Sequence, residues 1–133
     1  MEGYWRALEK VGWVGLGGFL GANARYWIGG WITARLGTQF PWDTFLINCT
    51  GSFVLGLFVT LLAERWAIPH APVLRLVVAI GFVGGYTTFS TFELETLQLV
   101  TTATWLRAFA NAFGSLFAGF LSVWLGVLVG RAV

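Results

Sequence analysis

The chain has 133 residues, 57% hydrophobic and 11% charged, with a mean hydropathy of +0.76. A soluble domain carries about 25% charged residues, so there is too little polar surface for a water-soluble globule, and a bilayer is the natural solvent. A formal net charge of +2 is too small to argue for a nucleic-acid partner, the lone Cys49 excludes an intramolecular disulfide, and the single His70 offers no basis for a metal or catalytic cluster.

Residues 1–10 (MEGYWRALEK) read as a short amphipathic lead-in. The apolar run behind them is too long for a signal peptide and lacks a clear small-residue cleavage site. The first membrane span is predicted from about Val11 to Ala34, followed by a polar, Pro-containing connector at Gly37–Asp43. The second covers Thr44 to Ala63 and ends at ERWAIPHAP. The third starts near Val73 and continues past Leu97. The fourth runs from Ala108 to Val129 and stops at Arg131. Each is long enough to cross ~30 Å of hydrocarbon at about 1.5 Å per residue. The predicted fold class is therefore an all-α membrane protein, a single domain of four transmembrane helices over residues 1–133.

Four crossings put both termini on one side. Arg6, Lys10, Arg65, Arg75 and Arg131 flank that side, and Arg35 and Arg107 the other. The positive-inside rule then leans toward cytoplasmic termini. The segments GLGGFLGANA (15–24) and GSFVLG (51–56) carry small residues at close spacing, as membrane helices do where backbones approach. Four helices enclose too little volume for a transport path within one subunit, so an oligomer is expected.

Polar groups inside lipid are costly and face protein or water. Arg25 is one, read either as an interfacial anchor beside Tyr26 and Trp27 or as a fixed positive charge at an anion vestibule. Asn48 lies deep in the second span, with Thr44 and Ser52 on the same face at i−4 and i+4, a stripe that suggests a wet or substrate-facing side. Asn111 and Ser115 repeat the spacing in the fourth span, where interhelical hydrogen bonding and a pore role both fit. The most unusual stretch is GFVGGYTTFSTFELETL, residues 81–97. Gly84 and Gly85 can interrupt the third helix near its middle. Such a break leaves backbone groups unpaired and survives only inside protein or beside a cavity. Thr87, Thr88, Ser90 and Thr91 add neutral donors, and Phe89 and Phe92 project from one face with ring edges that can contact a small anion.

Four segments, GGFLGANARYW, LINCTGSFVLG, GGYTTFSTFELE and NAFGSLFAG, occur in the order seen in the Fluc (CrcB) family of fluoride channels. The chain resembles that family over nearly its whole length, and GGYTTFSTF is the most specific part. The resemblance implies a multi-pass protein of a bacterial or archaeal cell membrane. It implies an antiparallel, dual-topology homodimer with two fluoride pathways along the subunit interface. By it, Phe89 and Phe92 are the pore phenylalanines, Asn48 a pore-lining asparagine, and Ser90 and Thr91 members of a polar track. Arg25 matches a basic residue near the vestibule, Glu95 an acidic residue near the pore end, and Asn111 a pore-facing position. The carbonyls of Gly84 and Thr87 match those that hold a central structural Na⁺. Asp43 stands where relatives usually have Gly.

The residues agree with that reading. Fluoride is small and tightly hydrated, and a pore must replace its water with donors weak enough to release it. The rival is a small four-helix cation or multidrug exporter, which needs a mid-membrane carboxylate. Glu64, Glu93 and Glu95 lie near span ends. No nucleophile and base pair supports an enzyme.

Overall fold

The computed structural model describes residues 2–65 and 69–133, and these are helices and short connectors with no strand. The first helix is Glu2–Leu36. The second is Trp42–Thr60, continued by wider π-type turns over Leu61–Arg65. The third begins at Ala71–Leu74, runs through π-type turns at Arg75–Val83 and ends its first half at Gly84–Tyr86. Its second half is Phe89–Thr102. The fourth is Trp105–Ala132. Residues 66–68, part of the predicted ERWAIPHAP connector, lie outside the described residues.

Local chemistry accounts for the boundaries. Gly37 takes φ +78 and its N–H bonds the Thr33 carbonyl at 2.9 Å, a left-handed cap that ends the first helix. Asp43 sits in the first turn of the second helix, where a carboxylate complements the helix dipole. Thr104 starts the fourth helix by accepting from the Arg107 N–H at 3.3 Å.

Three helical stretches, Trp42–Glu64, Ala71–Thr102 and Trp105–Ala132, are long and apolar enough to cross a bilayer. The first helix has the length, at 35 residues, but its glycines, Asn23 and Arg25 lower its hydropathy. It packs lengthwise on the first half of the third helix. A Cβ on Gly17 would meet the Val77 carbonyl, and one on Gly21 the Phe82 carbonyl. Both residue numbers rise together, so these helices run parallel. The second and fourth helices form the other parallel pair: a Cβ on Gly119 would lie by Ser52 and one on Gly130 by Thr60, numbers that rise together, and between them Gly56 meets the Val123 carbonyl and Gly126 the Phe53 carbonyl. Close approach of backbones through glycine is how membrane helices gain packing without a hydrophobic driving force.

The predicted break in the third helix exists, but at Thr87–Thr88 and not at the glycines. Gly84 and Gly85 are helical. Thr87 (φ −80, ψ 161) and Thr88 (φ −151, ψ 121) are extended. Glycine permits a break without compelling one. Gly85 instead lies against the first helix, where a Cβ would come 2.7 Å from the Gly18 carbonyl oxygen. The break forms where Thr88 can cap the second half of the helix, its hydroxyl accepting from the Thr91 N–H at 3.3 Å.

Candidate pore-lining site at the helix break

The two backbone groups of Thr88 find their partners on the second helix. The Thr88 N–H donates to Asn48 Oδ1 at 2.8 Å, and Asn48 Nδ2 donates to the Thr88 carbonyl at 3.0 Å. A single side-chain amide thus replaces the helical pairing lost at the break, and one of its two N–H groups remains to face outward. Arg25 reaches the neighbouring carbonyl, with Nη1 3.3 Å from the Thr87 oxygen. Its neighbours Tyr26 and Trp27 are exposed, while Arg25 is half-buried. Arg25 therefore turns inward to the break, apart from the aromatic anchors.

A groove of about 330 Å³ opens beside this clamp. Asn48, Phe89, Phe92 and Ser115, from three helices, line it together with Ser52 and Thr88, and none of its lining residues is ionisable. The Phe89 and Phe92 rings are 5.8 Å apart between centroids, tilted by 43°. They differ in surroundings: Phe92 is 6% exposed and Phe89 is 70% exposed. Both rings nevertheless line the same groove and touch each other, Phe89 at its open edge and Phe92 deeper in it.

Other expected residues lie around the groove. Arg25 and Thr91 line a second cavity toward the first helix, which shares Thr88 with the groove. Glu95 lines a third, near the Gly37–Asp43 connector. Thr44 does not complete a wet stripe with Asn48 and Ser52. It is buried at 4% exposure and donates to Glu95 Oε1 at 2.9 Å, while Glu95 Oε2 is buried without a partner among the described residues. Ser90 is exposed. Asn111, at 1% exposure, lies behind the groove. It donates to Thr96 Oγ1 at 2.8 Å and accepts from Ser115 at 3.3 Å, so it joins the fourth helix to the third and holds Ser115 from behind. Sequence reasoning missed the capping role of Thr88, although a Thr just ahead of an apolar helical run is a usable N-cap signal. It also missed the Thr50–Tyr86 hydroxyl pair at 3.0 Å, which ties the second helix to the turn before the break.

The carbonyls of Gly84 and Thr87 fit a small cation in one respect. The Thr88 N–H that would close on Gly84 goes to Asn48, and the Thr91 N–H that would close on Thr87 goes to Thr88 Oγ1. Both oxygens are thus released from helical pairing. The Thr87 oxygen already accepts one long bond from Arg25, and a carbonyl has a second lone pair.

An all-helical chain with bilayer-length apolar helices, one broken around a clamped Thr88, is a helical membrane protein. The pattern of the family described as CrcB-like protein, Camphor Resistance (CrcB), matches residues 12–127, and the chain belongs to that family. A relative from Acidobacterium capsulatum named "Fluoride-specific ion channel FluC" is 49% identical over 93% of this chain and 98% of its own. Relatives of the same name from Magnetococcus marinus and Thermus thermophilus are each 42% identical, over 93% and 95% of this chain and 99% and 97% of theirs.

Proposed function

We propose that this chain is a passive, fluoride-selective channel of the cell membrane, exporting F⁻ as an antiparallel homodimer of four-crossing subunits with two pores at the interface. The observation that carries this reading is the Asn48–Thr88 clamp, which holds the helix break open beside a groove of neutral donors and phenylalanines. The relatives' name supplies the ion. Parallel packing of the first helix along the third supports the fourth crossing. Support for a second copy comes from Phe89 and from Phe113, Leu116, Phe117 and Phe120 on the fourth helix, each at least 62% exposed. A groove walled on one side by a single subunit needs another wall.

The mechanism rests on the groove's chemistry. An anion at the break meets the free N–H of Asn48 and the hydroxyl of Ser52, the Thr88 hydroxyl being spent on Thr91 Oγ1 at 3.0 Å. It also meets the unpaired first-turn N–H groups of Phe89–Thr102, the positive end of that helix. Phe92 and Phe89 offer ring edges that attract weakly. Fixed cations at a distance, such as Arg25, raise the local anion concentration without binding it directly. No carboxylate lines the groove, so there is no group to exchange a proton during each passage, and the exporter reading loses its requirement. A pH gradient imposed at zero fluoride gradient should therefore drive no fluoride uptake into liposomes beyond hydrogen fluoride leakage. Protonophore-sensitive accumulation would overturn the channel reading.

A structural Na⁺ on the twofold axis, held by the Gly84 and Thr87 carbonyls of both subunits, belongs to the same proposal. The ion would supply positive charge where four carbonyl dipoles converge. Two released oxygens per subunit support the site, and no carboxylate there favours a divalent ion. A high-resolution map of the dimer should contain density with oxygens at roughly 2.3–2.6 Å, the range of similarly sized Ca²⁺. Direct contact of those carbonyls with Arg25 alone, and no density between subunits, would remove the ion.

A further inference from the structure

Away from the break, a groove of about 490 Å³ opens where the start of the first helix, the end of the second and the start of the third meet. Val59, Leu62, Leu76 and Ile80 give it apolar walls, and two cations, Lys10 and Arg75, line it without any carboxylate. Val59 and Ile80 are exposed at 39% and 52%. Neither Lys10 nor Arg75 has a hydrogen bond or ion pair among the described residues. The nearest acids in sequence are engaged elsewhere. Glu9 accepts from the Trp13 indole at 3.3 Å, and Glu64 pairs with Arg131 at 3.3 Å.

Depth in the membrane fits these groups together. Because the first and third helices run parallel, Lys10 and Arg75 lie at the same end of the subunit. Tyr4 and Trp5, both about two-thirds exposed and packed edge to face at 6.0 Å, stand about one and a half turns closer to that end. Such aromatic pairs sit at the headgroup level, which puts Lys10 and Arg75 at the boundary between headgroups and acyl chains. A second cavity shares Arg75, Val59 and Ile80 and continues to Leu55 and Val123. The apolar floor thus leads from the cations toward the bilayer interior.

We propose that this groove binds an anionic phospholipid, with its phosphate between Lys10 and Arg75 and an acyl chain along Val59, Leu62 and Ile80. Charge complementarity selects the occupant. Two unpaired cations call for an anion, and the apolar wall below them calls for a hydrocarbon chain, a combination typical of basic pockets between membrane helices. A zwitterionic lipid brings its own ammonium to its phosphate and gains less. A second copy of the chain seated here would bury both cations with no carboxylate in the groove to meet them. The inference rests on membrane residence and not on which ion crosses.

The test is lipid retention by the purified full chain in native mass spectrometry, comparing phosphatidylglycerol with phosphatidylcholine of the same acyl chains. Each cation near an anionic surface contributes about a fivefold preference, so wild type should retain phosphatidylglycerol roughly thirtyfold better. Lys10→Gln and Arg75→Gln should each remove about fivefold, and the double variant should retain both lipids equally. Lys10→Arg with Arg75→Lys should restore the preference. Arg35→Gln, at the other end of the subunit, should leave it intact. Ile80→Trp, which fills the groove while keeping both cations, should lower retention of both lipids. Equal retention by wild type, or a preference unmoved in the double variant, overturns the proposal. So does displacement of the lipid by excess inorganic phosphate, which would make this a free-anion site. A shift from dimer to monomer in the double variant with unchanged lipid preference would assign the groove to the second copy and equally overturn it.

Discussion

Asn48→Asp should abolish fluoride throughput. Asn48 uses one N–H to hold the Thr88 carbonyl and its oxygen to hold the Thr88 N–H, and presents its other N–H outward. An ionised aspartate keeps only the acceptor half. Its second oxygen then faces the Thr88 carbonyl at the former hydrogen-bond distance of 3.0 Å, so two acceptors oppose each other and the clamp opens. A passing anion also meets a like charge. At about 4 Å and an effective dielectric of 20 that repulsion costs about 4 kcal/mol, roughly a thousandfold in occupancy. Fluoride efflux from liposomes should fall to background in a variant that purifies with the wild-type elution profile. Near-normal efflux would remove Asn48 from the pathway.

Gly126→Val should prevent assembly of the subunit. A Cβ at Gly126 meets the Phe53 carbonyl, and the reciprocal position Gly56 meets the Val123 carbonyl. Backbone cannot rotate out of the way as a side chain can, so the second and fourth helices must separate along their whole contact. Overpacking a well-filled contact costs about 1–3 kcal/mol and sometimes more. Here the cost extends to the groove, because Asn48 and Ser115 ride on the two separated helices. Monodisperse protein on size exclusion should be largely lost. Gly12→Val is the control, since a Cβ there meets nothing within 4 Å, and it should purify normally.

The extent of the helices was legible because lipid imposes a length and a composition that single sequences display. The second and fourth helices extend within three residues of the predicted spans. The third helix was legible as broken but not in place. Two adjacent glycines looked like the weakest point by local preference. The decisive partner for the break, Asn48, lies 40 residues away from Thr88, and no local pattern announces a bond of that range. The faces of polar residues were the other blind spot. Thr44, Asn48 and Ser52 share a helical stripe, yet Glu95 draws Thr44 into a buried pair while the other two reach the groove. Asn111 and Ser115 likewise share a spacing. Thr96 captures the longer side chain from the neighbouring helix and leaves Ser115 at the surface of the groove. Periodicity gives a direction relative to the helix axis, and only packing says which neighbour stands there.

The central claim is selective, passive passage of fluoride, and the most direct measurement is efflux from liposomes holding the purified protein, read with a fluoride electrode and with a chloride electrode in parallel. The account predicts rapid release of fluoride once charge is balanced by an ionophore, with chloride retained at the level of protein-free liposomes. Retention of both ions, or release of chloride at a comparable rate, would contradict it.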